Sequence, residues 1–339
     1  MKIFHYFFLD FLKIIVYNLS FFWYNILMKN YINNQHSYYT LDYYLKEKYQ
    51  SKVFKVALNG NFTCPNRDGT KAYGGCIFCS DSGSGDFSGN KEDSLITQFN
   101  EVKDIISKKW PNSKYIAYFQ ANSNTYAPLD KLKSLYEEAL SLHKDIVGLD
   151  IATRPDCISD ECLEYLAYLN TKTDLTIELG LQTIHSSTQK YLNLCYSTED
   201  FDNCVKRLRS KNINVVVHII NGLPFETKQM MLDTIKHINN LDIQGIKIHS
   251  LFVLKGSVLA SHFLNNEFKI LSLNEYVDIV CDQLSILRDD IVVHRISGDP
   301  PKDLLIEPTW SLKKFVVMNE IDKEMKKRNY YQGNKHIIK

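Results

Sequence analysis

From Val53 onward the apolar positions change period in a regular way. Short runs that are apolar throughout or at every second residue alternate with longer stretches whose apolar residues stand three and four apart. The first pattern fits strands and the second fits helices that bury one face. "KVFKVAL" reads as a strand and "SLITQFNEVKDIISKKW" as a helix that stops before Pro111. "KYIAYFQ" and "IVGLDIAT" follow as strands, with the helix "LDKLKSLYEEALSLHK" between them. "SDECLEYLAYLN" is a helix with Ser159 as N-cap and Glu161 in its first turn. "LTIELGLQT", "INVVVHIING" and "IQGIKIHSLFVL" supply the fourth to sixth strands, separated by the helices "TEDFDNCVKRLRSK" and "TKQMMLDTIKHINN".

Strands separated by helices predict right-handed crossovers and a parallel sheet. Six such units are too few to close an eight-stranded barrel. The expected fold class is therefore α/β, a partial (β/α)6 barrel with a carboxyl-terminal α/β extension. Working residues in such barrels sit at the carboxyl ends of the strands. That rule selects the cysteine loop after the first strand, Gln120 and Asn122 after the second, and Arg154 after the third. It also selects Glu178 through Gln182 on the fourth strand, His218 and residues 221–224 on and after the fifth, and His249 on the sixth. Six loops point at one cavity.

Composition narrows the class. The chain has 339 residues, 45% of them hydrophobic and 23% charged, with a net charge of +1. No bulk field draws such a protein to nucleic acid or anionic lipid. Eight cysteines in so long a chain are no disulfide framework, so a reduced, cytoplasmic setting is expected. Residues 1–35 form an apolar extension apart from the fold. Asp10 and Lys13 interrupt its aromatic run, which leaves it short of the roughly 20 apolar residues that span a bilayer. A natural start at Met28, an interfacial amphipathic helix and a membrane anchor all stay open for it. Residues 36–325 make the core, residues 326–339 are a basic tail, and no stable membrane partner is expected.

The candidate chemistry lies in "NFTCPNRDGTKAYGGCIFCSDSGSGDF", which places Cys64, Cys76 and Cys79 on a glycine-rich loop. A buried structural cysteine normally sits in an apolar periodic segment, and these do not. Three thiols that converge on one point signal a metal site. A structural zinc needs four protein ligands, and His218 or Cys157 could reach across the cavity to be the fourth. A 4Fe–4S cluster held by three cysteines would instead leave one iron open to a small molecule.

These residues resemble a known family. Three cysteines after the first strand of a partial (β/α)6 barrel are similar to those of the radical S-adenosylmethionine superfamily. Most members space them Cys-x3-Cys-x2-Cys, so the eleven-residue first gap is a departure. The whole loop resembles the YhcC/YtqA-like group, which is related to the Elongator catalytic subunit. "YFQANSNTYAPL", "ATRPDCI", "IELGLQT", "NGLPFET", "GIKIHSLFVLKGS" and "HRISGDPPKDLLIEPTW" extend the resemblance over residues 36 to 325. It implies a 4Fe–4S cluster on Cys64, Cys76 and Cys79, with S-adenosylmethionine chelating the remaining iron and yielding a 5′-deoxyadenosyl radical. Ile77 and Phe78 would pack on the adenine, and Gly74 and Gly75 would let the backbone pass close to the cluster. Glu178 would touch the ribose or the methionyl amine, its alternative being a buried carboxylate satisfied by Arg154. Gln120, Asn122, Arg154 and His218 would line the cofactor site, and flavodoxin or ferredoxin would donate the electron.

Two stretches depart from the group. "NLCYSTED" stands where an arginine and a histidine are expected, and Phe225 replaces an expected glycine. Kinship with Elongator suggests tRNA, with a wobble uridine as target. The tail, with Lys326, Lys327, Arg328, Lys335 and Lys339 interleaved with Tyr330 and Tyr331, suits RNA contact, and Lys206, Arg207, Arg209 and Lys211 share one helix. A radical enzyme acting on a small metabolite or peptide is the alternative, and a zinc-binding module without catalysis is another. Cys157, Cys162, Cys195, Cys204 and Cys281 are expected in the core.

Overall fold

The computed structural model describes residues 36–80, 83 and 85–336, so the extension expected over residues 1–35 lies outside the described residues. In chain order, α1 (Leu41–Tyr49) and β1 (Val53–Leu58) lead into the cysteine loop. Then follow α2 (Leu95–Lys109), β2 (Lys114–Phe119), α3 (Leu129–Ser141), β3 (Ile146–Thr153), α4 (Asp160–Asn170) and β4 (Asp174–Gln182). The next elements are α5 (Ser186–Tyr191), α6 (Thr198–Ser210), β5 (Asn214–Asn221), α7 (Lys228–Ile238), β6 (Gly245–Ser250) and the short β7 (Val253–Leu254). The carboxyl-terminal part holds α8 (Val258–Leu264), α9 (Leu273–Ile286), β8 (Val292–Arg295), β9 (Leu305–Glu307) and α10 (Lys314–Lys327). Side-chain caps start the helices as expected: the Ser159 hydroxyl accepts from the Cys162 N–H at 3.2 Å.

Seven strands form one parallel sheet in the order β1-β2-β3-β4-β5-β6-β8, a curled half-barrel. The six expected strands are joined by a seventh, β8, from the carboxyl-terminal extension. Its run "VVHR" is too short to stand out by periodicity, and its pairing with β6 creates it. The expected sixth strand also breaks at Leu251. Its last two residues turn away as β7 and pair antiparallel with β9.

Alternation along the strands sorts side chains to two faces. Val56 and Leu58, Ala117 and Phe119, Leu149 and Ile151, Ile177 and Leu179, Val215 and Val217, and Ile246 and Ile248 face the helices. There they meet Phe99, Leu132, Tyr136, Leu166, Leu208, Ile235 and Leu284 in one continuous core. Each fully buried aliphatic side chain contributes roughly 1.5–3 kcal/mol. The intervening positions point into the barrel, and those that carry Lys55, Tyr118, Asp150, Glu178, His218 and Lys247 put polar groups there.

The open side between β1 and β8 is fastened from both ends of the described chain. The Val293 N–H donates to the Tyr39 carbonyl at 2.7 Å, and Thr40 bridges Val293 in parallel fashion. Gln332, 1% exposed, ties this seam: its side-chain oxygen accepts from the Tyr39 N–H at 2.9 Å. Its amide nitrogen donates to the carbonyls of Arg288 and Ile291. Among the described residues no helix is long and apolar enough to cross a membrane.

Candidate active site

The loop after β1 is built by its own backbone. Arg67 and Asp68 donate N–H groups to the Cys64 carbonyl, Asp68 and Tyr73 form an antiparallel bridge, and the Cys79 N–H reaches back to the Cys76 carbonyl at 2.9 Å. Gly75 adopts φ +83, where a side chain would be strained and would also press on Arg67. Ile77 locks the loop to the barrel: its N–H donates to the Leu192 carbonyl, and its carbonyl accepts from the Leu259 N–H. Asn66 is fully buried and donates to the carbonyls of Asn193 and Leu194, with Cys76 Sγ 3.6 Å from the same nitrogen.

This folding brings Cys64, Cys76 and Cys79 onto the wall of one cavity of about 310 Å³ at the carboxyl ends of the strands. Phe78, Gln120, Asn122, Arg154, Glu178 and His218 line it too. Ile77 does not. Its side chain packs against a second apolar cluster with Leu192, Leu194 and Leu259, which Cys76 and Phe78 also touch from the same turn. A hydrogen bond from Cys76 depresses the Cys79 thiol against the effect of burial, with Arg67 adding to it, and raises Cys76 correspondingly. Of the two, Cys79 is therefore the readier to give up its proton. Among the described residues no three Cys, His, Asp or Glu side chains close around a point as a single metal ion requires. Three thiols spread on a cavity wall fit a larger, multi-iron group with an open corner. Cys157 is buried, its thiol pushed up to about 12, and it does not line the cavity.

Beneath the thiols lies a layer of ionisable side chains. Glu178, on β4, is 1% exposed. Its Oε1 accepts from Lys55 Nζ at 2.8 Å, and its Oε2 accepts from Tyr118 at 2.6 Å and from Lys247 at 2.5 Å. His218 Nε2 stands 2.9 Å from Oε2. Burial acts to raise the Glu178 pKa, but Lys247 and Lys55 outweigh it and hold the carboxyl well below the usual range. Lys55 also pairs with Asp150, whose carboxyl burial pushes up. Burial lowers Lys247 to about 8 and His218 to about 4, with Lys247 adding to the second effect, so His218 is neutral at pH 7. The layer has two sides. Glu178, Tyr118, His218 and Lys247 face the cysteine cavity, whereas Lys55, Asp150 and His294 face a cavity of about 290 Å³ at the amino ends of the strands.

Arg154 is not the partner of Glu178. It forks onto Asp156 at 2.9 Å through both Nε and Nη2, donates to the Leu194 carbonyl, and lies 4.9 Å over the Tyr196 ring. The residues between Leu192 and Tyr196, where the expected arginine and histidine are missing, thus still build the cavity through Tyr196 and a main-chain carbonyl. Asn122, at φ +63, turns at the rim and donates to the Phe62 carbonyl. His249 packs against His218 with ring centroids 5.3 Å apart. The sequence reading missed Lys55, Tyr118, Asp150 and Lys247 because they sit in mid-strand and not at strand ends. Their signal was a polar or charged residue in the middle of an otherwise apolar strand. Arg295, at the end of β8, and Gly298, Asp299 and Pro301 beyond it also line the cavity.

Most of the described basic residues expected to contact RNA are already paired. Arg207 pairs with Asp160, Arg209 with Asp242, and Lys211 with Glu164. Over residues 326–336 the expected tail is packed: Lys326 and Lys327 end α10, Arg328 binds Asp278, Asp282 and Glu324, and Tyr330 packs on the core, while Lys339 lies outside the described residues. Cys195 is exposed at φ +59 and not in the core, whereas Cys162, Cys204 and Cys281 are buried.

Comparison with known proteins agrees with this geometry. Residues 64–238 match the model of the radical SAM superfamily, and residues 243–327 match that of the radical SAM C-terminal domain. The chain is 50% identical over 303 residues to the YtqA protein of Bacillus subtilis, covering 89% of this chain and 94% of that one. It is 26% identical over 164 residues to the tRNA uridine(34) acetyltransferase of Methanocaldococcus infernus, covering 48% of this chain and 30% of that one. The solved structure of M. infernus Elp3, lacking its N-terminal residues, superposes with a TM-score of 0.63 at 19% identity, over 83% of this chain and 64% of that one.

Proposed function

The chain belongs to the radical S-adenosylmethionine superfamily, in its YtqA-like group, and from that premise we propose that the carboxyl-end cavity is where cofactors and substrate meet and that the substrate is a tRNA nucleoside. The observation that carries the first part is that Cys64, Cys76 and Cys79 line that cavity together. These three thiolates would ligate the 4Fe–4S cluster. When bound, the reduced cluster and S-adenosylmethionine supply a 5′-deoxyadenosyl radical that removes a hydrogen atom from substrate.

The chain's own residues position and shield. Asn66 stands beside Cys76 Sγ as a donor, which tunes the thiolate, and the backbone at Gly75 passes close by. Phe78 offers an apolar ring, while Gln120 and Asn122 offer neutral donors and acceptors to a ribose or an amine. Glu178 has both oxygens occupied, so its part is to hold Tyr118, His218 and Lys247 in place on the cavity floor. Arg154, fixed by Asp156, keeps a cation at the wall where a carboxylate or phosphate would sit.

Kinship supports the tRNA part: a relative that matches half of this chain acts on tRNA uridine 34. Anaerobic, iron-loaded protein given S-adenosylmethionine and a strong reductant should form 5′-deoxyadenosine. No product from reduced, iron-replete protein would sink the radical chemistry. Nucleoside profiling of tRNA from a strain lacking the gene should reveal a missing modification, and an unchanged profile would favour a small-molecule substrate.

A further inference from the structure

The carboxyl end of the barrel displays aromatic rings that the fold does not need. Tyr73 is 81% exposed, Phe225 66% and Phe87 53%. Tyr73 and Phe87 lie on the cysteine loop after β1 and Phe225 on the loop after β5, so topology places all three at the end where the cavity opens. Phe87 lines that cavity.

One of these rings is held out at a cost, and a second is held firmly. Phe225 sits at φ +68, a region that disfavours any residue with a Cβ and that a bulky ring rarely enters. Among the described residues its ring meets that of Tyr191 edge-on, with centroids 5.2 Å apart. The chain thus carries backbone strain in order to keep an apolar ring in water. Tyr73 is displayed with equal firmness. Its hairpin is pinned by the Lys71–Asp156 ion pair at 2.6 Å and by a 2.7 Å hydrogen bond between Thr70 and Tyr126. Its ring lies against Gly69, where an added Cβ would come within 2.5 Å of it. The tip of the ring therefore lies beside backbone at φ +88, which favours glycine, while most of the residue is open to solvent. Local rules broken without a packing gain mark function.

We propose that Tyr73 and Phe225, with Phe87 on the cavity wall, form a stacking platform for unpaired bases of a single-stranded RNA loop whose target nucleotide enters the cavity. This rests on the tRNA reading above and adds the recognition element. Flat rings with open faces accept any base, and the guanidinium groups of Arg67, Arg154 and Arg295 on the cavity wall complement phosphate. An apolar protein partner would ask for a continuous aliphatic patch, which separated rings do not give.

The test is RNA binding by the full-length protein, read by fluorescence anisotropy with an anticodon stem-loop and with a duplex RNA of equal length. The stem-loop should bind more tightly than the duplex. Tyr73→Ala and Phe225→Gly should each weaken stem-loop binding about 5- to 100-fold. Tyr73→Phe should bind like wild type, and so should Ile105→Ala, which trims an exposed apolar side chain on α2 instead. The salt dependence should keep the same slope in every variant, because no phosphate contact is lost. Phe225→Gly should also melt at the same or a higher temperature, because glycine tolerates φ +68, which separates lost recognition from lost folding. Wild-type affinity in both ring variants would overturn the platform and leave the tRNA reading standing. Failure of the wild-type protein to bind the stem-loop at all would overturn both, and a partner protein lost with Phe225→Gly in its place would identify the rings as a protein contact.

Discussion

A thiol on the cavity wall and a thiol in the core should behave as different chemical species. Cys76→Ala leaves two ligands, too few to hold a four-iron group, so iron content and visible absorbance should collapse. Cys157→Ala removes a buried neutral thiol and should leave both intact. Full iron loading in the Cys76 variant would defeat the assignment. At Glu178 the expectation concerns stability. Glu178→Gln leaves Lys55 and Lys247 buried with Asp150 as the one carboxylate between them, which should cost about 3–5 kcal/mol in urea unfolding. Acid should act through the same layer. Burial lowers His218 to about 4 and holds His249 and His294 well below the usual imidazole value. Unfolded, these rings take up protons near pH 6.5, so below that pH the unfolded chain binds more protons than the folded one. Stability should therefore fall as pH drops from about 6.5 toward 4, and His218→Gln should remove part of that fall in melting temperature. A pH-independent melting temperature across this window would contradict the buried-imidazole layer.

At the scale of elements, the ends of the described chain act as a clasp. Gln332→Ala deletes bonds to Tyr39, Arg288 and Ile291 and strands a buried N–H and two carbonyls. The loss should be about 2–3 kcal/mol, read as a lower denaturant midpoint. Truncation after Met325 should do more damage still, since it also removes the Arg328 bonds to Asp278 and Asp282. If the truncated protein melted like the intact one, the clasp would be decorative. This was not legible in the sequence, where residues 326–339 read as a run of positive charge with tyrosines. Charge pattern reports what is attracted to a segment, and the aspartates that answer Arg328 lie on α9, some 50 residues upstream. The six repeated strands and their helices were legible because each satisfies its own periodicity. β8 was not, because four residues do not make a period. The cysteine wall was legible because its spacing is local. The ion layer was not, because Lys55, Tyr118, Asp150 and Lys247 become neighbours through sheet register alone.

For the molecule as a whole, a net charge of +1 and surface cations already paired with acids leave few charges free for phosphate. If tRNA binds, the affinity should depend weakly on salt, with a slope reporting only a few contacts and not the six to ten of a strongly electrostatic binder. A steep slope would point to a cationic surface that the paired arginines of α6 do not provide.

The clasp also imposes an order of events on synthesis. Residues 37–40 leave the ribosome early, yet the strand edge they close, at Val293, is made more than 250 residues later. At ordinary elongation rates that interval is roughly ten seconds to a minute. Throughout it, the growing half-barrel has an unsealed rim and its first segment has no place to dock. Nascent chains of this protein should therefore be clients of ribosome-associated chaperones until Gln332 has emerged.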